Sequence, residues 1–218
     1  MLNKKIVAIS GPSGSGKEFF MSYICNHFGQ YKFHIQKPTK HLLDNINISI
    51  DDLRNYNHIN EWIDFQTQLV DIAYKKEVDY LQTNQETISS NLIFIDRCAT
   101  DVYYYIHTHL QMLPKEYTNN NQLLCDQIQN LYKKAKHYVD DSFYNIILNF
   151  EPLTDDNMIQ TKYKSKELYK NKYNEYIGIT MLNKMLYSDK FLIDVNMNNN
   201  ESECIRVSNY LINELLFF

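Results

Sequence analysis

The sequence predicts an α/β fold of three layers: a five-stranded parallel sheet, helices on both faces and a small lid. Three observations predict it. Short apolar runs alternate with segments of helical periodicity. The first run opens straight into a glycine-rich turn and then a helix. The chemically suggestive motifs fall at the ends of the runs, where open α/β sheets place their ligands.

Ile6-Val7-Ala8-Ile9 is continuously apolar, as expected of a strand buried on both faces. Phe19, Phe20, Tyr23, Ile24 and Phe28 then recur at helical spacing, with Gly29 as the stop. Tyr31 to Ile35 reads as the second strand, ended by Pro38. Thr39 to Asn57 is poorly periodic and reads as a mobile loop. From Asn60, the residues Trp62, Ile63, Phe65, Leu69, Ile72 and Ala73 line one face of a long amphipathic helix. Leu92 to Ile95 is the third strand and ends at Asp96-Arg97. Helices follow over Val102 to Met112 and Leu123 to Tyr138, separated by a polar break at Pro114 to Asn121. Phe143 to Leu148 is the fourth strand, Glu151 to Ser165 a polar segment and Lys166 to Leu186 a helix. Phe191 to Val195 is the fifth strand, Asn196 to Asn200 a loop and Ile205 to Leu216 the last helix. No internal repeat interrupts this order.

The length of 218 residues suits a single domain, its lid at about residues 151–166. A hydrophobic fraction of 44% and a charged fraction of 22% are ordinary for a soluble globular protein. The net charge of −4 disfavours a general polynucleotide binder, which shows a basic surface. Cys25, Cys98, Cys125 and Cys204 form no C-x-x-C pair and lie near no His at zinc-ligand spacing, so they read as reduced thiols of a cytoplasmic protein. The run at Ile6 to Ile9 is too short for a signal core or a membrane span, and no membrane partner is expected. A homodimer is left open.

Gly11-Pro12-Ser13-Gly14-Ser15-Gly16-Lys17 fits G-x-x-x-x-G-K between a strand and a helix, the context that makes this pattern specific. Glycines let backbone N–H groups turn inward around phosphates, and the helix N-terminus adds partial positive charge. Lys17 is placed to reach the β- and γ-phosphates of ATP. Gly11, Ser13, Gly14, Ser15, Gly16, Lys17 and Glu18 are therefore the candidate nucleotide-binding residues. Glu18 departs from the pattern, because Ser or Thr at that place ligates Mg²⁺. A carboxylate also suits Mg²⁺ but repels phosphate, so Glu18 either rearranges the metal site or weakens catalysis.

Four segments together resemble the P-loop nucleoside and nucleotide kinases, the group of thymidylate and deoxynucleoside kinases. They are Gly11 to Lys17, Glu61-Trp62-Ile63-Asp64-Phe65-Gln66, Ile95-Asp96-Arg97 with Asp101 and Tyr104 behind, and the Lys-rich segment before a long helix. The resemblance implies a P-loop NTPase fold, ATP and Mg²⁺ as cofactors, and a small nucleoside or nucleotide as substrate. It further implies an adenine held at Asn196 to Asn200 and a lid bearing Lys162 and Lys164 where the family deploys Arg. The residues make chemical sense alone. Arg97 can fork onto phosphate oxygens or pair with Asp101. Asp96 can hold Mg²⁺ through water or cap the next helix. Gln66 offers a donor and an acceptor to a base edge, with Trp62 and Phe65 as a stacking wall or as ordinary helix core. Lys162, Lys164 and Lys166 are spaced too tightly for one helical face, which suits a loop, solvated or catalytic.

The acceptor divides two readings. Deoxynucleoside kinases carry a Glu after the second strand as base for the 5′-hydroxyl, whereas this chain has Ile35-Gln36-Lys37-Pro38-Thr39-Lys40. An acceptor phosphate needs no base but does need cations, and Lys37, Lys40 and Arg97 supply them. This tilts the expectation toward a nucleoside monophosphate kinase. Asp51, Asp52 or Asp96 as base, with Gln66 on an aromatic helix, keeps a nucleoside open. A binding protein weakened by Glu18 and a kinase of polynucleotide ends or modified bases are the readings from other classes.

Overall fold

A computed structural model describes residues 5–27, 33–36, 42, 53, 55–82, 92–119, 121–153, 166–187 and 191–215. They form β1 (Lys5–Ser10), α1 (Lys17–His27), β2 (Phe33–Gln36), α2 (Ile59–Gln82), β3 (Leu92–Asp96), α3 (Ala99–Gln111) and α4 (Lys115–Thr118). They continue as α5 (Gln122–Asp141), β4 (Ile146–Phe150), α6 (Lys166–Leu186), β5 (Phe191–Val195) and α7 (Asn200–Leu215). Short 3₁₀ turns at Tyr56–His58 and Met197–Asn199 lead into α2 and α7. The chain divides into two compact units: Met1–Ile35, Gln85–Cys98 and Tyr144–Phe218 in the first, Gln36–Asn84 and Ala99–Phe143 in the second.

The first unit is built on the sheet, ordered β2-β3-β1-β4-β5. Its described pairings, β1 with β3, β1 with β4 and β4 with β5, are parallel, which gives four parallel strands with β2 beside β3. Ile6, Val7, Ala8 and Ile9 are all 0% exposed, so the unbroken apolar run marks the central strand. Alternate residues serve opposite faces. Val7, Ile9, Leu148, Phe150, Ile193 and Val195 join Phe20 and Ile24 of α1 and Val207 and Leu211 of α7 in one core. Phe20 meets Phe150 edge-on, with ring centroids 5.4 Å apart. Burying each such ring contributes about 1.5–3 kcal/mol. The other face carries Ser10 and Asn149, to which Asn183 of α6 is hydrogen-bonded. Within this unit helices therefore cover both faces of the sheet.

Several boundaries differ from the sequence reading, and a short helix, α4, lies within the break expected at Pro114 to Asn121. β4 runs from Ile146 to Phe150, not from Phe143. Asn145 clasps β1 from outside the strand: its Oδ1 accepts from the Ile6 N–H at 2.7 Å and its N–H donates to the Ile6 carbonyl at 2.8 Å. Tyr144 is buried against Tyr187 and Phe143 is about half exposed, so the apolar stretch before Ile146 reflects a side-chain contact rather than strand pairing. α3 and α7 each begin earlier than expected, at Ala99 and Asn200, because polar first turns leave no apolar period to read.

The second unit is helical. α2 buries Ile59, Trp62, Ile63, Gln66, Leu69, Val70 and Ala73, the i, i+3, i+4 stripe of an amphipathic helix. α5 is capped by Asn121, whose side chain accepts from the Leu124 N–H at 3.1 Å. Lys134 bridges to Asp71 at 2.6 Å, and Tyr138 and Ser142 both donate to the buried Glu77 carboxylate, tying α5 to α2. Among the described residues no helix is long and apolar enough to cross a membrane.

Candidate phosphate-binding site

β1 ends at Ser10, and the chain must then turn sharply to enter α1 at Lys17. Gly11, Gly14 and Gly16 supply the turn at φ 129°, 81° and 86°, a region L side chains rarely enter. Space enforces the same choice. A Cβ at Gly11 would lie 2.5 Å from the Phe150 carbonyl oxygen, and one at Gly16 would lie 2.8 Å from Cβ of Met197. Lys17 is 7% exposed, and its ammonium donates to the carbonyls of Gly11 at 2.8 Å and Pro12 at 2.5 Å and to Ser15 Oγ at 3.1 Å. Ser15 Oγ donates in turn to the Pro12 carbonyl at 2.9 Å. A buried cation thus sits across a loop of tightly turned backbone at a helix N-terminus, an arrangement suited to polyanions. Ser13 and Glu18 are exposed at this end, Glu18 in the first turn of α1.

Asp96 and Arg97 close β3 beside this loop. The parallel register sets Asp96 opposite Ile9, two residues before Gly11. Arg97 has φ 77°, the one described non-glycine residue at positive φ. Such backbone costs about 1–3 kcal/mol and is held by its surroundings. Here its N–H donates to the Ile9 carbonyl at 3.0 Å and its guanidinium donates to the Gly11 carbonyl at 2.8 Å. Asp96 Oδ1 is buried without a hydrogen-bond partner among the described residues, which fits an oxygen reserved for a hydrated cation or a hydroxyl. Among the described residues no group of three or more His, Cys, Asp or Glu side chains could by itself hold a metal ion.

A polar row that sequence reasoning missed lies across the same sheet edge. The registers align Ser10 with Asn149 and Asn149 with Asp194. Asn183 donates to Ser10 Oγ at 3.1 Å and to Asn149 Oδ1 at 2.8 Å, and Asn149 reaches Asp194 at 3.5 Å. The Tyr176 hydroxyl lies 3.4 Å from Asp194 and 3.3 Å from Glu151. Burial, reinforced by those two carboxylates, pushes its phenol far upward, so it remains a neutral donor. Asn196 donates to Glu151 at 2.8 Å and extends the row to the turn before α7. The available signal was one polar residue near the end of each apolar strand, at Ser10, Asn149 and Asp194.

The loop residues, Asp96 and Arg97 all belong to the first unit. Trp62, Phe65, Gln66 and Asp101 belong to the second, and each is buried there. Trp62 stacks on His109 with centroids 4.2 Å apart and 24° between planes. Lys37, Lys40, Lys162, Lys164, Asp51 and Asp52, with most of the expected lid and of the expected mobile loop, lie outside the described residues.

No family model and no curated protein matches the chain. Solved structures do. The crystal structure of NadR protein in complex with NR superposes with a TM-score of 0.68 at 13% identity, over 99% of this chain and 52% of that one. NadR in complex with NAD and AMP-PNP superposes with a TM-score of 0.63 at 12% identity, over 99% and 50%. This chain thus spans about half the length of the NadR chains it matches. At such identity the likeness concerns fold, and it agrees with the strand, loop and helix described above: the chain has a P-loop-type α/β fold.

Proposed function

We propose that this chain is an ATP-dependent phosphotransferase that moves the γ-phosphate of ATP to a nucleoside monophosphate. The observation that carries the reading is the loop of residues 11–17, where three positive-φ glycines join β1 to α1 beneath the buried Lys17 ammonium. Lys17 would exchange the Gly11 and Pro12 carbonyls for β- and γ-phosphate oxygens. Asp96 Oδ1, without a hydrogen-bond partner among the described residues, would suit a water-coordinated Mg²⁺, which would supply positive charge toward the phosphates. Arg97 would stabilise charge on the transferring group, and Lys162 and Lys164 are the further cations proposed for it. Lys37 and Lys40 would hold the acceptor phosphate, with Gln66, Trp62 and Phe65 against its base. NadR solved with AMP-PNP, an ATP analogue, supports the ATP half of this reading.

A nucleoside hydroxyl as acceptor is the second reading, and the same Asp96 oxygen favours it, since a carboxylate oxygen with no donor among the described residues can take the hydroxyl proton. NadR solved with NR is consistent with a small ligand of that kind. The test is ADP release from ATP and Mg²⁺ across a panel of nucleosides and nucleoside monophosphates. Turnover with monophosphates supports the first reading, and turnover with nucleosides alone supports the second. ATP binding with no turnover, restored by Glu18→Thr, would identify a binding protein whose metal site Glu18 disables. Unaltered ATP affinity in Lys17→Ala would overturn the phosphate-loop reading itself.

A further inference from the structure

We propose that Asn183 of α6 is a positioning residue for the phosphate loop, holding the entry to the loop and the exit from Asp96-Arg97 in one arrangement. The proposal rests on reading residues 11–17 as that loop. Asn183 is 0% exposed. One amide hydrogen goes to Ser10 Oγ at 3.1 Å, and Ser10 immediately precedes Gly11. The other goes to Asn149 Oδ1 at 2.8 Å, at the end of β4. The carbonyl Oδ1 accepts from the Cys98 thiol at 3.7 Å, and Cys98 immediately follows Arg97. One side chain from a helix therefore touches the end of β1, the next-to-last residue of β4 and the segment leaving β3.

The chemistry makes this contact directional. Both amide hydrogens face acceptors, so the amide has one orientation that satisfies its neighbours. A buried amide without those bonds is unfavourable, whereas an apolar side chain of similar size fills the space with no such demand. Asn149 passes the pattern on to Asp194, which shares the Tyr176 hydroxyl with Glu151. Tyr176 and Asn183 are seven residues apart, two turns along α6, and are both buried on the same helical face. A displacement of α6 along its axis would pull on Ser10, and through it on the backbone whose Gly11 carbonyl receives both Lys17 and Arg97.

The experiment measures ATP–Mg²⁺ affinity by calorimetry, and amide hydrogen exchange at residues 11–17, in the wild type, Asn183→Ala, Asn183→Asp, Ser10→Ala and the Asn183→Ala/Ser10→Ala double variant. Asn183→Ala and the volume-preserving Asn183→Asp should each weaken ATP binding roughly tenfold and speed exchange in the loop. The double variant should lose less than the sum of its single variants, because the two side chains share one bond. Folded Asn183 variants with lowered melting temperature but wild-type affinity and loop exchange would overturn the proposal, leaving Asn183 as core packing. If Asn183→Ala does not fold, Asn183→Asp and Ser10→Ala decide by the same readouts. If the wild type binds no ATP, the functional reading has failed, and faster loop exchange in Asn183→Asp alone upholds the positioning role while unchanged exchange overturns it.

Discussion

Gly11 and Gly16 are both glycine for two reasons, conformation and space, and the spatial reason differs between them. At Gly16 the obstacle is the Met197 side chain, 2.8 Å from a built Cβ. At Gly11 it is the Phe150 carbonyl at 2.5 Å, which is main chain inside a parallel sheet. Gly16→Ala is expected to lose about 1–3 kcal/mol, part of which a shift of the Met197 side chain can relieve. Gly11→Ala should be the more damaging, with no such relief from a side chain. Thermal melting checks both, since each kcal/mol moves the midpoint by about 2–4 °C in a chain of this size. Lys17→Ala removes three donated bonds from the loop and should weaken ATP binding at least tenfold, again by calorimetry.

Between elements, polar side chains decide how helices are fastened. Glu77 of α2 is 3% exposed and receives the hydroxyls of Tyr138 and Ser142 at the end of α5. Tyr138→Phe keeps the ring and removes one donor from a buried carboxylate, so a loss of about 1–3 kcal/mol is expected, read by chemical denaturation. On α7 the Arg206 guanidinium donates to Glu203 and holds its carboxyl below the ordinary value of 4.5. A lowered folded-state pKa means that the stabilisation is present above about pH 4.5 and is lost as pH falls through the folded value. Glu203→Gln should therefore flatten the acid limb of the stability profile below pH 4.5. Its effect at neutral pH should stay below about 1 kcal/mol, because Arg206 is half exposed.

Across the whole molecule, burial sorts the four thiols. Cys98 and Cys204 are 0% exposed, and burial, with Glu203 adjacent, pushes the Cys204 thiol up to about 11. Cys25 is exposed and Cys125 lies between. Alkylation of the native protein near pH 8, followed by peptide mass spectrometry, should modify Cys25 first and spare Cys98 and Cys204 until denaturant is added. Equal labelling of Cys25 and Cys204 in native protein would contradict the packing of α7 on the sheet. The alternation of strands and helices was legible because continuous apolar runs and 3.6-residue periods are properties of neighbouring residues. β4 was misplaced by three residues because Tyr144 is buried by a ring contact with Tyr187, a partner 43 positions away.

The sequence by itself determined the loop: a strand, glycines at positions 11, 14 and 16 and a lysine at 17 are local, and glycine alone enters the positive-φ backbone of such a turn without steric cost. It also singled out Asp96 and Arg97 through their place after an apolar run. Only the tertiary structure decided the register that aligns Ser10, Asn149 and Asp194, and the helix that delivers Asn183 to them. The reason is separation along the chain. Ser10 and Asn183 are 173 residues apart, and a hydrogen bond across that span depends on sheet pairing and helix packing, which no window of neighbouring residues encodes.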